Sequence, residues 1–106
     1  MRMDVLTGNL PNSEAVDEHA HRRLGYALDR FATRVLQVRV RLGDLGPRGG
    51  AEKRCAVECD LGRLGSVVIE ETDADLYHAI DRAAKRVKVA VRRRLDKAKA
   101  AWHGRR

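Results

Sequence analysis

The chain has 106 residues, a formal charge of +7 from 22 Lys/Arg against 15 Asp/Glu, and only two cysteines. That length suits one domain with its own core, with no need of a disulfide or metal staple. No apolar run approaches the ~20 residues of a transmembrane helix and no apolar signal region follows Met1, so a cytoplasmic protein is expected, neither membrane-spanning nor secreted.

Met1-Arg2-Met3-Asp4-Val5 alternates and predicts a short strand. Gly8 to Asn12 reads as a loop, with Gly, Asn and Pro as breakers. Ser13 is a suitable N-cap, followed by Glu14, Asp17 and Glu18 at the dipole-favoured start of a helix. Val16, Ala20, Leu24, Ala27, Leu28 and Phe31 carry its apolar stripe to about Thr33. Gly25 in its middle weakens the helix by up to ~1 kcal/mol relative to Ala. Val38, Val40 and Leu42 alternate with Arg39 and Arg41 in a second strand. The glycine-rich stretch to Gly50 reads as a turn, in which Arg48 could touch phosphate. Cys55, Val57, Cys59 and Leu61 make a third strand, Gly62 to Gly65 a tight turn, and Ser66 to Glu71 a fourth strand. In a strand Cys55 and Cys59 share a face but lie ~13 Å apart, too far for a disulfide or a shared metal. Both are read as small buried hydrophobes.

Residues 75 to 102 read as one long helix, capped by Thr72 and Asp73 and ending near His103 and Gly104. Leu76, Ile80, Ala83, Ala84, Val87, Val91, Leu95, Ala98 and Trp102 fall within roughly 60° of Ile80 at 100° per residue. Arg82, Arg86, Arg93 and Lys97 then lie on one flank of that stripe, and Lys85, Lys88, Arg92 and Lys99 on the other. The order β-α-β-β-β-α predicts a two-layer α+β domain: a four-stranded sheet with two helices on one face, in which the last three strands pair antiparallel. Residues 1–102 form this single domain, with 103–106 a short basic tail.

Charge is segregated along the chain. From Asp75 to Arg106 the balance is +8, and from Met1 to Ala74 it is −1. Concentrated charge of one sign marks a site for a polyanion, most often nucleic acid. The run Arg92-Arg93-Arg94 repels itself unless an anion neutralises it. Only Tyr26, Phe31, Tyr77 and Trp102 are aromatic, and none falls in a predicted strand. A base-stacking sheet platform is therefore excluded, and recognition by backbone charge and shape is expected. No histidine has a partner at metal-ligand or triad spacing, and no phosphate-binding glycine loop appears. No enzyme activity, metal or cofactor is expected.

Asp75-Leu76-Tyr77-His78-Ala79-Ile80-Asp81 resembles the D-M-Y-x-A-I-D entry to the last helix of the ribosome hibernation-promoting factor and ribosome-associated inhibitor family. Ser13-Glu14-Ala15-Val16 stands where that family has T-E-A-L, and Arg22-Arg23-Leu24 where it has K-K-L. The likeness runs from residue 1 to about 99. It implies a fold similar to a double-stranded RNA-binding domain. It also implies binding to rRNA of the small ribosomal subunit in stationary phase or stress. There the protein would occupy the channel of mRNA and of A- and P-site tRNA, silencing and protecting resting ribosomes. A monomer off the ribosome, without a small-molecule substrate or membrane partner, goes with this.

Carried over by position, Arg22, Arg23, Arg86, Arg93 and Lys97 match basic positions of the family. With Arg82, Lys85, Lys88 and Arg92 from the helix flanks they make the candidate RNA-binding set. The chain departs from the family at Val89-Ala90-Val91, where R-Q-L is frequent, and at Asp73-Ala74, where G-Q is usual. The C-terminal domain by which longer relatives pair two ribosomes is not expected in these residues. Two other readings are a double-stranded RNA-binding regulator acting away from ribosomes and a protein-interaction module with an acidic partner.

Overall fold

The computed structural model describes residues 1–8, 10–45 and 52–104, with side chains as far as Ala101. The turn containing Arg48, the Trp102 side chain and the last two residues of the basic tail lie outside the described residues. The elements are β1 (Arg2–Leu6), α1 (Ser13–Leu28), a 3₁₀ turn (Asp29–Phe31), β2 (Gln37–Asp44), β3 (Lys53–Asp60), a second 3₁₀ turn (Gly62–Leu64), β4 (Ser66–Asp73) and α2 (Leu76–Gly104).

The sheet order is β1-β2-β3-β4. β1 pairs parallel with β2, the two joined across α1, while β2–β3 and β3–β4 are antiparallel. The register sets Val40 opposite Val57 and Val57 opposite Ile69, so one face of the sheet is continuously apolar. Both helices pack on that face. Val38, Val40, Leu42, Cys55, Val57, Cys59, Val67 and Ile69 are buried against Ala20, Leu24 and Leu28 of α1 and Ile80, Val87 and Val91 of α2. This is the α+β arrangement that the element order predicts.

Three helix boundaries differ from the sequence expectation, and the strands shift or lengthen by one or two residues at their ends, with Leu61 falling outside β3. Ser13 is the first helical residue of α1, not its cap. Asn12 precedes it in the left-handed conformation (φ 55°), and its carbonyl accepts the Ala15 and Val16 N–H groups. Asparagine tolerates that conformation better than most residues. The helix also stops at Leu28 instead of Thr33. The chain tightens there into i→i+3 bonding, which lets both Phe31 and Val35 reach the core. At the start of α2, Thr72 belongs to β4. Asp75 caps the helix, accepting the Tyr77 N–H at 2.9 Å, and Asp73 accepts the Asp75 N–H at 2.8 Å.

The apolar stripe of α2 is buried from Leu76 to Val91, with Ala79 added to it, and Leu95 packs against its end. Ala98 is only half-buried and is not part of the core. The helix therefore outruns the sheet, and the domain is elongated, 55 Å along its longest axis and 24 Å across the next.

Candidate nucleic-acid interface

The two flanks of α2 face different neighbours. One lies along β4. Arg86 donates to the Glu70 carbonyl at 3.2 Å and to the Glu71 carboxylate at 3.1 Å. Arg82 donates to the Thr72 carbonyl and sits 3.3 Å from Asp73 and 3.6 Å from Glu71. These two arginines fasten the helix to the sheet edge. The other flank lies along α1. Asp81 receives His19 Nε2 at 2.8 Å and Arg23 Nε at 3.0 Å, and the His19 ring meets Tyr77 edge to face at 4.8 Å. His19, Arg23, Tyr77 and Asp81 form a clamp between the helices. Tyr77 packs rather than standing free.

The basic run divides by role. Arg94 turns inward and donates to the Leu64 carbonyl at 2.7 Å, tying α2 to the second 3₁₀ turn. Gly65 stands beside it at φ 85°, and a Cβ there would come within 3.2 Å of Arg94 Nη1. Positive φ and close approach both call for glycine. Arg92 and Arg93 point to solvent instead. Among the described residues Arg22, Lys85, Lys88, Arg92, Arg93 and Lys97 have no ion-pair partner, whereas Arg23, Arg82 and Arg86 are paired. An unpaired set of one sign on one surface holds its field for an external anion.

The opposite face of the sheet shows the contrast. There Arg2, Arg39, Arg41 and Arg54 alternate with Asp4, Glu58, Asp60 and Glu70. Arg39 lies 3.8 Å from Glu58, Arg54 3.9 Å from Glu70, and Arg2 3.7 Å from Asp4. That face neutralises itself. The net positive charge of the described surface therefore lies on the helix layer.

Within that layer charge is also graded. The pairs His19–Asp81, Arg23–Asp81 and the shared groove of Ala27 and Lys88 show α1 and α2 running side by side in the same direction. Acids gather at their N-terminal ends, at Glu14, Asp17, Glu18, Asp73 and Asp75. Cations gather downstream, at Arg30, Arg34, Lys88, Arg92, Arg93 and Lys97. Glu14 in the first turn of α1 and Asp75 at the start of α2 sit where the helix dipoles favour acids.

Fold and surface together define a small α+β domain with a neutral sheet face and a cationic helix layer. The chain belongs to the family described as Sigma 54 modulation protein / S30EA ribosomal protein, whose family model matches residues 5–99. Among solved structures it is similar to the Protein Y N-terminal domain of Thermus thermophilus. That match has 33% identity and a TM-score of 0.71, covering 88% of this chain and 98% of that one. It is also similar to a ribosomal subunit interface protein from Coxiella burnetii, at 14% identity and a TM-score of 0.71 over 94% of this chain and 99% of that one. At that identity the second likeness speaks for the fold alone. The curated proteins contain no match.

Of the nine candidate residues, the structure brings Arg23, Lys85 and Lys88 together beside one groove between the helices, and Lys85, Arg86 and Arg93 beside another next to β4. It separates Arg23 from the Arg86–Arg93–Lys97 flank, with which the family positions had grouped it. Val89 is 44% exposed, opposite the core as its place on the helix requires. Sequence reasoning missed the His19–Asp81 link, because two residues 62 apart share no local signal. Tyr26, which the sequence placed only as an aromatic residue outside the strands, lies off the α1 stripe and open to solvent.

Proposed function

We propose that this protein binds the small ribosomal subunit by laying its cationic helix layer on rRNA, and that it silences and protects resting ribosomes by occupying space needed by mRNA and tRNA. The observation that carries this reading is the unpaired cationic set Lys85, Lys88, Arg92, Arg93 and Lys97 on one surface of a chain of the S30EA family. Phosphates would neutralise these residues together with Arg22. Arg23, Arg82 and Arg86 are about half exposed and keep N–H donors beyond those used internally, so they would contribute from positions already fixed. Fixed cations lose less side-chain freedom on binding than free ones.

In this reading residues 1–102 act as one ribosome-binding domain in the cytoplasm, as a monomer when unbound, and the action is steric. No described helix is long and apolar enough to cross a membrane. Stress or stationary phase is the condition in which such silencing serves the cell. Sedimentation tests the partner: the purified protein should travel with small subunits at near one copy each and leave them as salt is raised. Travel with large subunits alone, or with duplex RNA and not with subunits, would contradict it.

A further inference from the structure

Tyr26 stands 88% exposed on α1, more open than any other large hydrophobic side chain among the described residues. It borders two adjoining depressions between α1 and α2, of about 300 and 230 Å³, which together form one groove. The groove has a floor of small residues, Ala27 and Ala84, and a rim carrying Arg23, Arg30, Lys85 and Lys88. Asp29 is the single carboxylate among these lining residues. A lone exposed aromatic is ordinary on a protein surface. An exposed ring beside a groove edged with cations, three of them without an ion-pair partner among the described residues, is a specific chemical arrangement. It offers a π-face for a base and positive charge for the phosphates on either side.

We infer that Tyr26 stacks on an unpaired nucleobase of the bound RNA, with Arg30, Lys85 and Lys88 holding the adjacent phosphates. This rests on the proposed rRNA partner and adds to it an interaction of a different kind. Duplex RNA keeps its base faces stacked internally, so the groove selects a looped-out or single-stranded nucleotide. The stack tolerates any base, since every base has a π-face. It gives a small domain a way to distinguish an unpaired segment from regular helix that charge alone does not supply.

Three variants and one titration test it. Tyr26→Ala should weaken binding to purified small subunits by about fivefold or more, the effect of removing one stack. Its salt dependence should match that of the parent, because every phosphate-binding cation is retained. Tyr26→Phe should keep the parent affinity. Tyr26→Trp, made with Trp102→Phe so that position 26 alone reports, should lose fluorescence on adding single-stranded RNA and lose little on adding duplex RNA. Parent affinity in Tyr26→Ala would overturn the inference, as would quenching by duplex alone, or by an acidic peptide and not by RNA. Failure here and failure of the ribosome reading are distinguishable. If subunits bind in a salt-dependent way but are indifferent to Tyr26, the stack falls and the ribosome reading stands. If single-stranded RNA binds with the Tyr26 dependence while subunits do not bind, the reverse holds. Tyr26 touches nothing in the core, so all three variants should fold.

Discussion

Arg82 and Arg93 have the same chemistry and different partners, and the partners decide what each can do. Arg82 is committed to β4, and Arg93 faces water. Helix geometry placed both on one flank, but an angle on a helical wheel contains no information about Glu71 or Asp73 arriving from a neighbouring strand. The same holds for Arg94, which completes a run of three in sequence and leaves it in space to meet the Leu64 carbonyl. The cysteines were more legible, since alternation alone fixes the face of a strand. Cys55 and Cys59 are fully buried, and burial pushes both thiols up from about 9 to about 12, with Glu71 adding to it at Cys55 and Glu58 at Cys59. At pH 8 neither should react with an aromatic disulfide reagent faster than the protein unfolds. Immediate reaction of either thiol in the native protein would contradict the register of β3. A raised thiol pKa means the fold favours the protonated form. The associated stability is complete below about pH 9 and should be lost progressively as pH rises toward 12, which a series of denaturant midpoints can follow.

The element that organises both packing and charge is α2. Its apolar period reads directly from the sequence, and the structure buries Ile80, Val87 and Val91 as that period requires. What the period could not show is where the sheet ends. The stripe continues through Ala98 to Trp102, but among the described residues burial stops near Leu95, where the core ends. Ile80→Ala should cost about 2–5 kcal/mol of stability, while Val89→Ala on the exposed side should cost far less. Equal losses in denaturant unfolding would mean that the helix is rotated from the orientation described. The charged faces need a different variant from the one the flanks alone suggest. Reversing Arg86 would set a carboxylate against Glu71 and remove its bonds to β4, which would mix a loss of packing with a loss of charge. Arg92, Arg93 and Lys97 have no such partner among the described residues, so reversing them to Glu should preserve the melting temperature within a few degrees. Binding to small subunits should weaken strongly. The slope of log affinity against log salt should also fall, by about 0.7–0.9 for each phosphate the protein no longer neutralises. An unchanged slope would show that these residues do not meet phosphate.

At the scale of the whole molecule, the domain has two faces that its β-α-β-β-β-α order makes inevitable. The helices cover one side of the sheet and leave the other open. On the open side cations and acids are balanced, and two pairs form between strands, Arg39 with Glu58 and Arg54 with Glu70. On the helix side the acids lie mostly toward the helix starts, so Arg92, Arg93 and Lys97 have no ion-pair partner among the described residues. The sequence order was enough to derive this two-layer plan and the site of the charge. The groove between α1 and α2 was not derivable, because it depends on how two helices lie side by side. As proposed above, the protein acts by occupying space on the ribosome rather than by chemistry. Titration of in vitro translation tests it most directly. Inhibition should rise in proportion to the fraction of ribosomes occupied and be complete near one protein per ribosome. It requires no nucleotide, metal or other cofactor, and excess mRNA with initiator tRNA should relieve it. Inhibition by strongly sub-stoichiometric protein would indicate catalytic damage instead, and undiminished translation at full occupancy would contradict the steric mechanism.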